Sequence, residues 1–191
     1  MDEKRLVKTS KYLSRHLRHQ PEAIGLTLEP GGWVAVDALL AAMRRNGVAI
    51  TRADLAETVA HNDKQRFAFD ETGQRIRASQ GHSVPIDLQL APMSPPDALY
   101  HGTGKAALGA ILREGLRKMR RNHVHLSCEI ATAIKVGSRH GAPAVLLVDA
   151  AAMARDGYQF YLSDNGVWLT ESVPPQYLRI LSAMEQQEVS R

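Results

Sequence analysis

The chain has a single cysteine, Cys128, among 191 residues. One thiol excludes an internal disulfide framework and any zinc site built on several cysteines. No apolar run is long enough to span a bilayer. The opening segment MDEKRLVKTS is polar and lacks the apolar stretch of a secretory signal. The expectation is therefore a cytoplasmic chain with no membrane association. Neither a P-loop nor a G-x-G-x-x-G fingerprint is present: HGTGKAALG (101–109) has neither the full spacing nor the Lys-Ser/Thr ending. Grouped carboxylates are missing as well. Asp149, Asp164 and Glu171 are scattered, with no partner at a convincing spacing for paired acid and base work.

Basic and imidazole side chains are what the chain does have. Lys and Arg number 24 against 20 Asp and Glu, a formal charge of +4, and eight histidines fall partly into clusters. A mildly basic balance permits a phosphate-rich partner without demanding one. The length suits one large domain or two small ones and buries a core without covalent staples.

The periodicity predicts a helix over residues 4–20, with Leu6, Leu13 and Leu17 on one side, Lys11, Arg15 and Arg18 on the other, and Pro21 as the stop. GGWVAV (31–36) reads as a short strand after a glycine turn. Asp37 is expected to cap a helix over 38–45, and Thr51 with Asp54 resembles a capping box opening a helix to about Ala60. RFAFD (66–70) and QRIRAS (74–79), joined by a turn containing Gly73, read as a hairpin. Three short helices followed by a two-stranded wing is the winged-helix pattern. VPIDLQLAPMSPP (84–96) reads as an extended linker. Beyond it come strand 98–103, helix 105–114, strand 123–127, helix 129–135, a buried strand at 144–150, and short strands in YQFYLS, GVWLT and YLRILS. The expected fold class is α+β, with lobes at 1–90 and 91–191.

Two histidine-x-hydroxyl triplets stand out, His101-Gly102-Thr103 and His125-Leu126-Ser127. On a strand, residues i and i+2 share a face, so each triplet projects an imidazole and a hydroxyl together. Gly102 between them is expected to permit close approach of a ligand. His123 and His125 also share a face and can form half of a metal site, while a lone histidine beside a sheet is as often simple filling. RKMRRNH (117–123) carries four cations in five residues, and NDKQRF (62–67) places Lys64 and Arg66 at the start of the hairpin. RASQGHS (77–83) brings Ser79, Gln80, Gly81 and His82 to its exit. SRHLRH (14–19) holds two arginine-histidine pairs. Arginine recognises phosphate bidentately, so a chain rich in arginine and histidine and poor in grouped carboxylates suits phosphoryl or glycosyl-phosphate transfer better than glycoside or peptide hydrolysis.

KYLSRHLRHQPEAIGL, GGWV, NDKQRF, IRASQGHS, LYHGT, MRRNHVHLS and NGVWLT occur in one order across nearly the whole chain. Together they resemble the RNA 2'-phosphotransferases of the Tpt1/KptA family. The resemblance implies a winged-helix-like first lobe and a second lobe related to ADP-ribosyltransferases. It implies that the partners are NAD+, as co-substrate, and a tRNA-like RNA bearing an internal 2'-phosphate. That phosphate attacks the nicotinamide ribose, giving an RNA-2'-phospho-ADP-ribose intermediate. The products are then 2'-hydroxyl RNA, nicotinamide and ADP-ribose 1'',2''-cyclic phosphate. The family's catalytic set falls on Arg15, His16, Arg66 and Arg121, with Arg120 adjacent to the last and a substrate contact in its own right. His101, Gly102, Thr103, His125, Ser127 and Val167 are the implied NAD+ contacts. Lys64, Ser79, Gln80, Gly81 and His82 are implied substrate contacts, and Arg18 and His19 are read as helix-end charges or supports to the RNA backbone. Val167 stands where protein-modifying relatives carry glutamate, in keeping with a phosphate nucleophile that needs no base. No metal is expected, and a monomer is. Three other readings stand beside this one: a two-histidine phosphoesterase, a non-enzymatic RNA-binding module, and ADP-ribosyl transfer to a terminal phosphate on nucleic acid.

Overall fold

Asp2 opens the first helix by accepting a hydrogen bond from the Arg5 amide at 2.7 Å, with Glu3 favourably placed against the positive end of the helix. This helix, α1 (Glu3–Arg18), turns Thr9, Leu13, His16 and Leu17 inward. Leu13 and Leu17 are fully buried, each contributing about 2–3 kcal/mol of apolar burial. His19 leaves helical geometry, and a 3-10 turn over Pro21–Ile24 follows. The computed structural model describes residues 1–62 and 64–182, so Asp63 of the NDKQRF stretch lies outside the described residues.

After β1 (Val34–Ala35), α2 (Val36–Arg45) begins two residues earlier than the sequence suggested. Asp37 is thus not its cap. Ala35 holds the cap position without a side-chain bond, and Asp37 sits in the first turn facing Arg52 at 3.4 Å. α3 (Arg52–Ala60) carries the complete capping box: Thr51 accepts from the Asp54 amide, and Asp54 accepts from the Thr51 amide. The shorter Asp serves where Glu or Gln is usual. β2 (Phe67–Phe69) and β3 (Arg75–Ala78) form the hairpin, with β1 on the far side of β3, all antiparallel. Leu13, Leu17, Leu39, Met43, Leu55 and Ile76 meet in one core under this small sheet.

The chain divides into two compact units after Leu90. Residues 79–97 hold no helix or strand, but they are not loose. The Asp87 carbonyl accepts from the Gly31 amide at 3.0 Å, and Leu88 is buried against the first unit. Within the second unit, the Met93 amide donates to the Phe160 carbonyl at 2.8 Å.

In the second unit, β4 (Ala98–Gly104) is followed by a 3-10 turn, Lys105–Ala107, and only then by α4 (Leu108–Glu114), so the expected single helix over 105–114 is divided. β5 (Leu116–Arg117), β6 (Val124–Leu126), α5 (Ile130–Gly137) and β7 (Pro143–Asp149) follow. Asp149, one of the scattered carboxylates, accepts from the Ala152 amide and caps α6 (Ala150–Arg155). β8 (Tyr161–Leu162), β9 (Trp168–Thr170), β10 (Ser172–Val173) and β11 (Leu178–Ile180) complete the unit. The strands pair antiparallel as β11-β7-β4, β6-β9-β8 and β10-β5. Leu99, Leu146, Val148, Met153, Phe160 and Trp168 form the core. The molecule is α+β, with small antiparallel sheets. Among the described residues no helix is long and apolar enough to cross a membrane.

Candidate functional site

The site residues expected from sequence gather in two groups, one within each unit. In the first, Arg18 ends α1, and its Nη2 donates to the Arg66 carbonyl at 3.3 Å. That same carbonyl accepts from the Ser79 amide at 2.9 Å, while the Ser79 hydroxyl donates to the Gln65 carbonyl at 2.8 Å. Ser83 closes the circuit: its amide donates to the Arg18 carbonyl, and its hydroxyl lies 2.9 Å from His19 Nδ1. Gly81 turns the chain beside the Arg18 guanidinium at φ +88°, a left-handed backbone that favours glycine, and a Cβ there would be in ordinary contact with the guanidinium at 3.6 Å. Arg18, His19, Arg66, Ser79, Gly81 and Ser83 therefore form one connected set.

Asn62 organises the hairpin side of this set. Its Oδ1 accepts from Arg66 Nη1 at 3.2 Å and from the Lys64 amide at 3.2 Å, and its Nδ2 donates to Ser10 on α1 at 3.0 Å. One buried amide thus fixes both the Arg66 guanidinium and the turn carrying Lys64 to the first helix. Asn62 belongs to the NDKQRF motif, and this bridging role is not among those expected from sequence. The available signal was an Asn four residues ahead of an arginine at a helix end, a place where side-chain amides commonly bridge backbone and cation.

His82 is 1 % exposed, and among the described residues neither of its ring nitrogens has a hydrogen-bond partner. Desolvation, with help from the nearby Arg18, His19 and Arg77 charges, pushes its pKa down to about 4. It is a neutral imidazole lodged under Gly32, where an added Cβ would stand 3.3 Å from its Nε2. Gln80 is half-buried in the same loop.

Arg15 and His16 do something else. Arg15 is exposed, and its Nε donates to Gln20 Oε1 at 2.8 Å. His16 is buried, its Nδ1 3.0 Å from the Gln20 carbonyl and its ring 4.3 Å from that of Tyr12. Both side chains secure the turn after α1.

In the second unit, the Tyr100 and Ser127 backbones exchange two hydrogen bonds, 2.8 and 2.9 Å, which join β4 to the chain leaving β6. This bridge sets the two triplets side by side. His101 Nδ1 lies 3.0 Å from the His125 carbonyl. A carbonyl only accepts, so the His101 proton is on Nδ1 and its Nε2 is an acceptor. Desolvation lowers the His101 pKa and keeps the ring neutral, against the opposing pull of the His125 carbonyl. Arg121 Nη1 donates to His125 Nδ1 at 2.5 Å, which puts the His125 proton on Nε2. The His125 ring is thereby bonded to Arg121 and its backbone to His101, with both imidazoles in defined tautomers. Arg120 is exposed beside them.

Ser127 Oγ accepts from the Glu129 amide at 3.0 Å, at the entry to α5. Val167 is half-buried in the turn before β9, where its carbonyl accepts from the Ser163 amide and hydroxyl and its amide donates to the Ser163 hydroxyl. Thr103 is buried on the same strand face as His101. At Gly102 a Cβ would stand 1.7 Å from the Ala133 carbonyl oxygen of α5, so the missing side chain lets α5 pack directly onto β4. His123 sets its ring edge against Tyr161, centroids 5.8 Å apart. Among the described residues no three potential metal-ligating side chains gather, so HVH finds no third ligand there. Glu171, another scattered carboxylate, pairs with Lys118.

Comparison with known proteins follows this geometry. Residues 4–172 match the family model described as RNA 2'-phosphotransferase, Tpt1 / KptA family. A protein of Herpetosiphon aurantiacus named "Probable RNA 2'-phosphotransferase" is 59 % identical over 180 residues, covering 94 % of this chain and 99 % of its own. Similarly named proteins of Nostoc punctiforme and Streptomyces griseus are 59 % identical over 179 residues and 56 % identical over 185. They cover 94 % and 93 % of this chain, and 99 % and 98 % of their own lengths. With arginines and histidines coupled in both units and a family match running through both, this chain belongs to the RNA 2'-phosphotransferase, Tpt1/KptA family.

Proposed function

We propose that this protein is an NAD+-dependent RNA 2'-phosphotransferase, moving an internal RNA 2'-phosphate onto NAD+ with release of nicotinamide. The observation that carries the reading is the pairing of Arg18 with Arg66 at the end of α1. One guanidinium is bonded to the other residue's backbone, and the second is fixed by Asn62. Two positioned arginines suit a phosphate monoester, whose oxygens accept several charge-assisted hydrogen bonds. Within this family reading, the first-helix pair is Arg18 and His19, one turn beyond the expected Arg15 and His16. The latter two side chains are committed to Gln20. The order α1, β1, α2, α3, β2, β3 supports the winged-helix-like description of the first unit, and the family match supports an ADP-ribosyltransferase-like second unit.

The second unit's polar groups fit a dinucleotide. His101 offers a neutral acceptor at Nε2 for a ribose hydroxyl, Thr103 offers a hydroxyl on the same face, and Arg121 offers a cation for a diphosphate. When bound, NAD+ supplies an electrophilic ribose carbon whose leaving group is nicotinamide. His101, held neutral by burial, takes a hydrogen bond without adding positive charge where nicotinamide departs. Arg121 and His125 form one hydrogen-bonded unit that orients the cation. Arg18 and Arg66 hold the phosphate and stabilise its charge during transfer, and His19 is placed to donate a proton at the departing RNA oxygen. The side chains of Ser79, Gln80 and Lys64 border the same phosphate, with Arg120 as a further RNA contact. The two-histidine phosphoesterase reading lacks this support, because the histidines are not equivalent: one donates to the other's backbone, while the second accepts from arginine.

The test is an oligonucleotide with one internal 2'-phosphate, incubated with and without NAD+ while phosphate loss and nicotinamide are followed. Both should appear only with NAD+. Equal phosphate loss in its absence would rule the proposal out.

A further inference from the structure

On an α-helix each residue advances the wheel by about 100°. Measured from Lys4, the positions Lys8, Lys11, Arg15 and Arg18 then fall within an arc about 80° wide. No other residue of α1 lies in that arc, so every position in it is a cation, in a chain where Lys and Arg make up 24 of 191 residues. The buried residues Thr9, Leu13, His16 and Leu17 occupy the opposite side of the wheel. The stripe runs about 21 Å at 1.5 Å per residue and faces water from Lys4 to Arg15. Lys4, Lys8, Lys11 and Arg15 are all exposed, and Arg18 is half-buried where the stripe meets the phosphate group of residues. Among the described residues none of the three lysines has a carboxylate within 4.0 Å. The only carboxylate of α1, Glu3, lies about 100° away from Lys4 on the wheel.

Such a column is unfavourable within the helix itself. Lys4–Lys8 and Lys11–Arg15 are like charges at i,i+4, Lys8–Lys11 and Arg15–Arg18 are like charges at i,i+3, and Lys4 opposes the positive end of the helix dipole. A self-repelling line of cations is matched by a partner that carries regularly spaced negative charge. A membrane surface fits poorly, because a helix that lies on lipid needs a free apolar face, and that of α1 is buried in the core. We infer that α1 is a track for the sugar-phosphate backbone of single-stranded RNA, leading to Arg18 and His19. This rests on the proposed RNA reading and gives it a second element: the enzyme holds nucleotides flanking the modified one, independent of their sequence.

The test compares the full-length protein with the triple variant K4Q/K8Q/K11Q, which alters only exposed side chains. Binding of a long single-stranded RNA without any 2'-phosphate is measured across a range of salt. The variant should bind on the order of tenfold more weakly, and its log–log salt slope should be shallower by about 2, three contacts at roughly 0.7 each. In turnover, KM for a long 2'-phosphorylated RNA should rise by a similar factor, while a 2'-phosphorylated dinucleotide, too short to reach the lysines, should be processed within about twofold of the parent. Equal RNA binding and equal salt slopes would overturn the inference. So would a loss confined to polyglutamate or to phosphatidylserine vesicles. A parent protein that turns over neither substrate contradicts the proposed function instead, and the binding arm still decides the track.

Discussion

Replacing Gly102 with alanine separates a structural role from a ligand-binding one. The new methyl would stand 1.7 Å from the Ala133 carbonyl oxygen, 2.5 Å from its carbon and 3.0 Å from its Cα. All three atoms are backbone of α5, so no rotamer change relieves the clash, and the helix must retreat from β4. α5 packs as closely at its other end, where a Cβ on Gly137 would be 2.8 Å from the Thr103 carbonyl oxygen, so a retreat also opens that contact. Displacing α5 also unseats the buried Ile130 and Ala133 from Val145. A cost of at least about 3 kcal/mol follows, at the upper end of overpacking penalties. At about 2–4 °C per kcal/mol for a chain of this length, the melting transition should fall by roughly 6–12 °C. Differential scanning calorimetry reads this directly, with NAD+ titrated separately into whatever remains folded. A variant that melts within about 2 °C of the parent but has lost NAD+ affinity would refute the packing argument and restore Gly102 as a ligand contact.

Three further outcomes are expected. Arg18→Ala should lower kcat for 2'-phosphate transfer by on the order of 10²-fold or more, the effect of losing a charge-stabilising donor. Arg15→Ala should stay within about threefold, and the reverse ranking would return the pair to Arg15 and His16. His82 has a folded pKa of about 4 against an ordinary 6.5, so its stabilising contribution is complete above pH 6.5 and is lost as pH falls toward 4. That loss amounts to about 3 kcal/mol, and denaturant titrations of His82→Gln across this window should run flatter than the parent by that amount; parallel curves would show that His82 is not buried in neutral form. His125→Ala removes the acceptor of Arg121 Nη1 and should raise KM for NAD+ by about tenfold, more than it lowers kcat; an unchanged KM would detach Arg121 from the cofactor side.

Much of this arrangement is written in local pattern. The alternation of His101 with Thr103 and of His125 with Ser127 follows from strand geometry, and the Thr51–Asp54 box needs only three residues of spacing. What sequence hid was direction. Gly102 signals close approach, but nothing local says whether helix or ligand approaches, and α5 supplies that answer from thirty positions downstream. Asp37 is equally suited to a cap or to a first turn, and the early start of α2 chose the second. The two Arg-His pairs of SRHLRH could have been told apart by a helical wheel. His16 flanks the side defined by Leu13 and Leu17, and Arg18 lies opposite, so burial and exposure were implicit in the leucine spacing. The Tyr100–Ser127 backbone exchange depends on tertiary placement and left no such mark.

The central claim is a transfer of phosphate, not its release. An RNA labelled with ³²P at one internal 2'-phosphate, incubated with the protein and unlabelled NAD+, tests it most directly. The account predicts that the label leaves the RNA and appears in ADP-ribose 1'',2''-cyclic phosphate, with one nicotinamide formed for each phosphate moved. Label recovered as inorganic phosphate, with NAD+ intact, would contradict it.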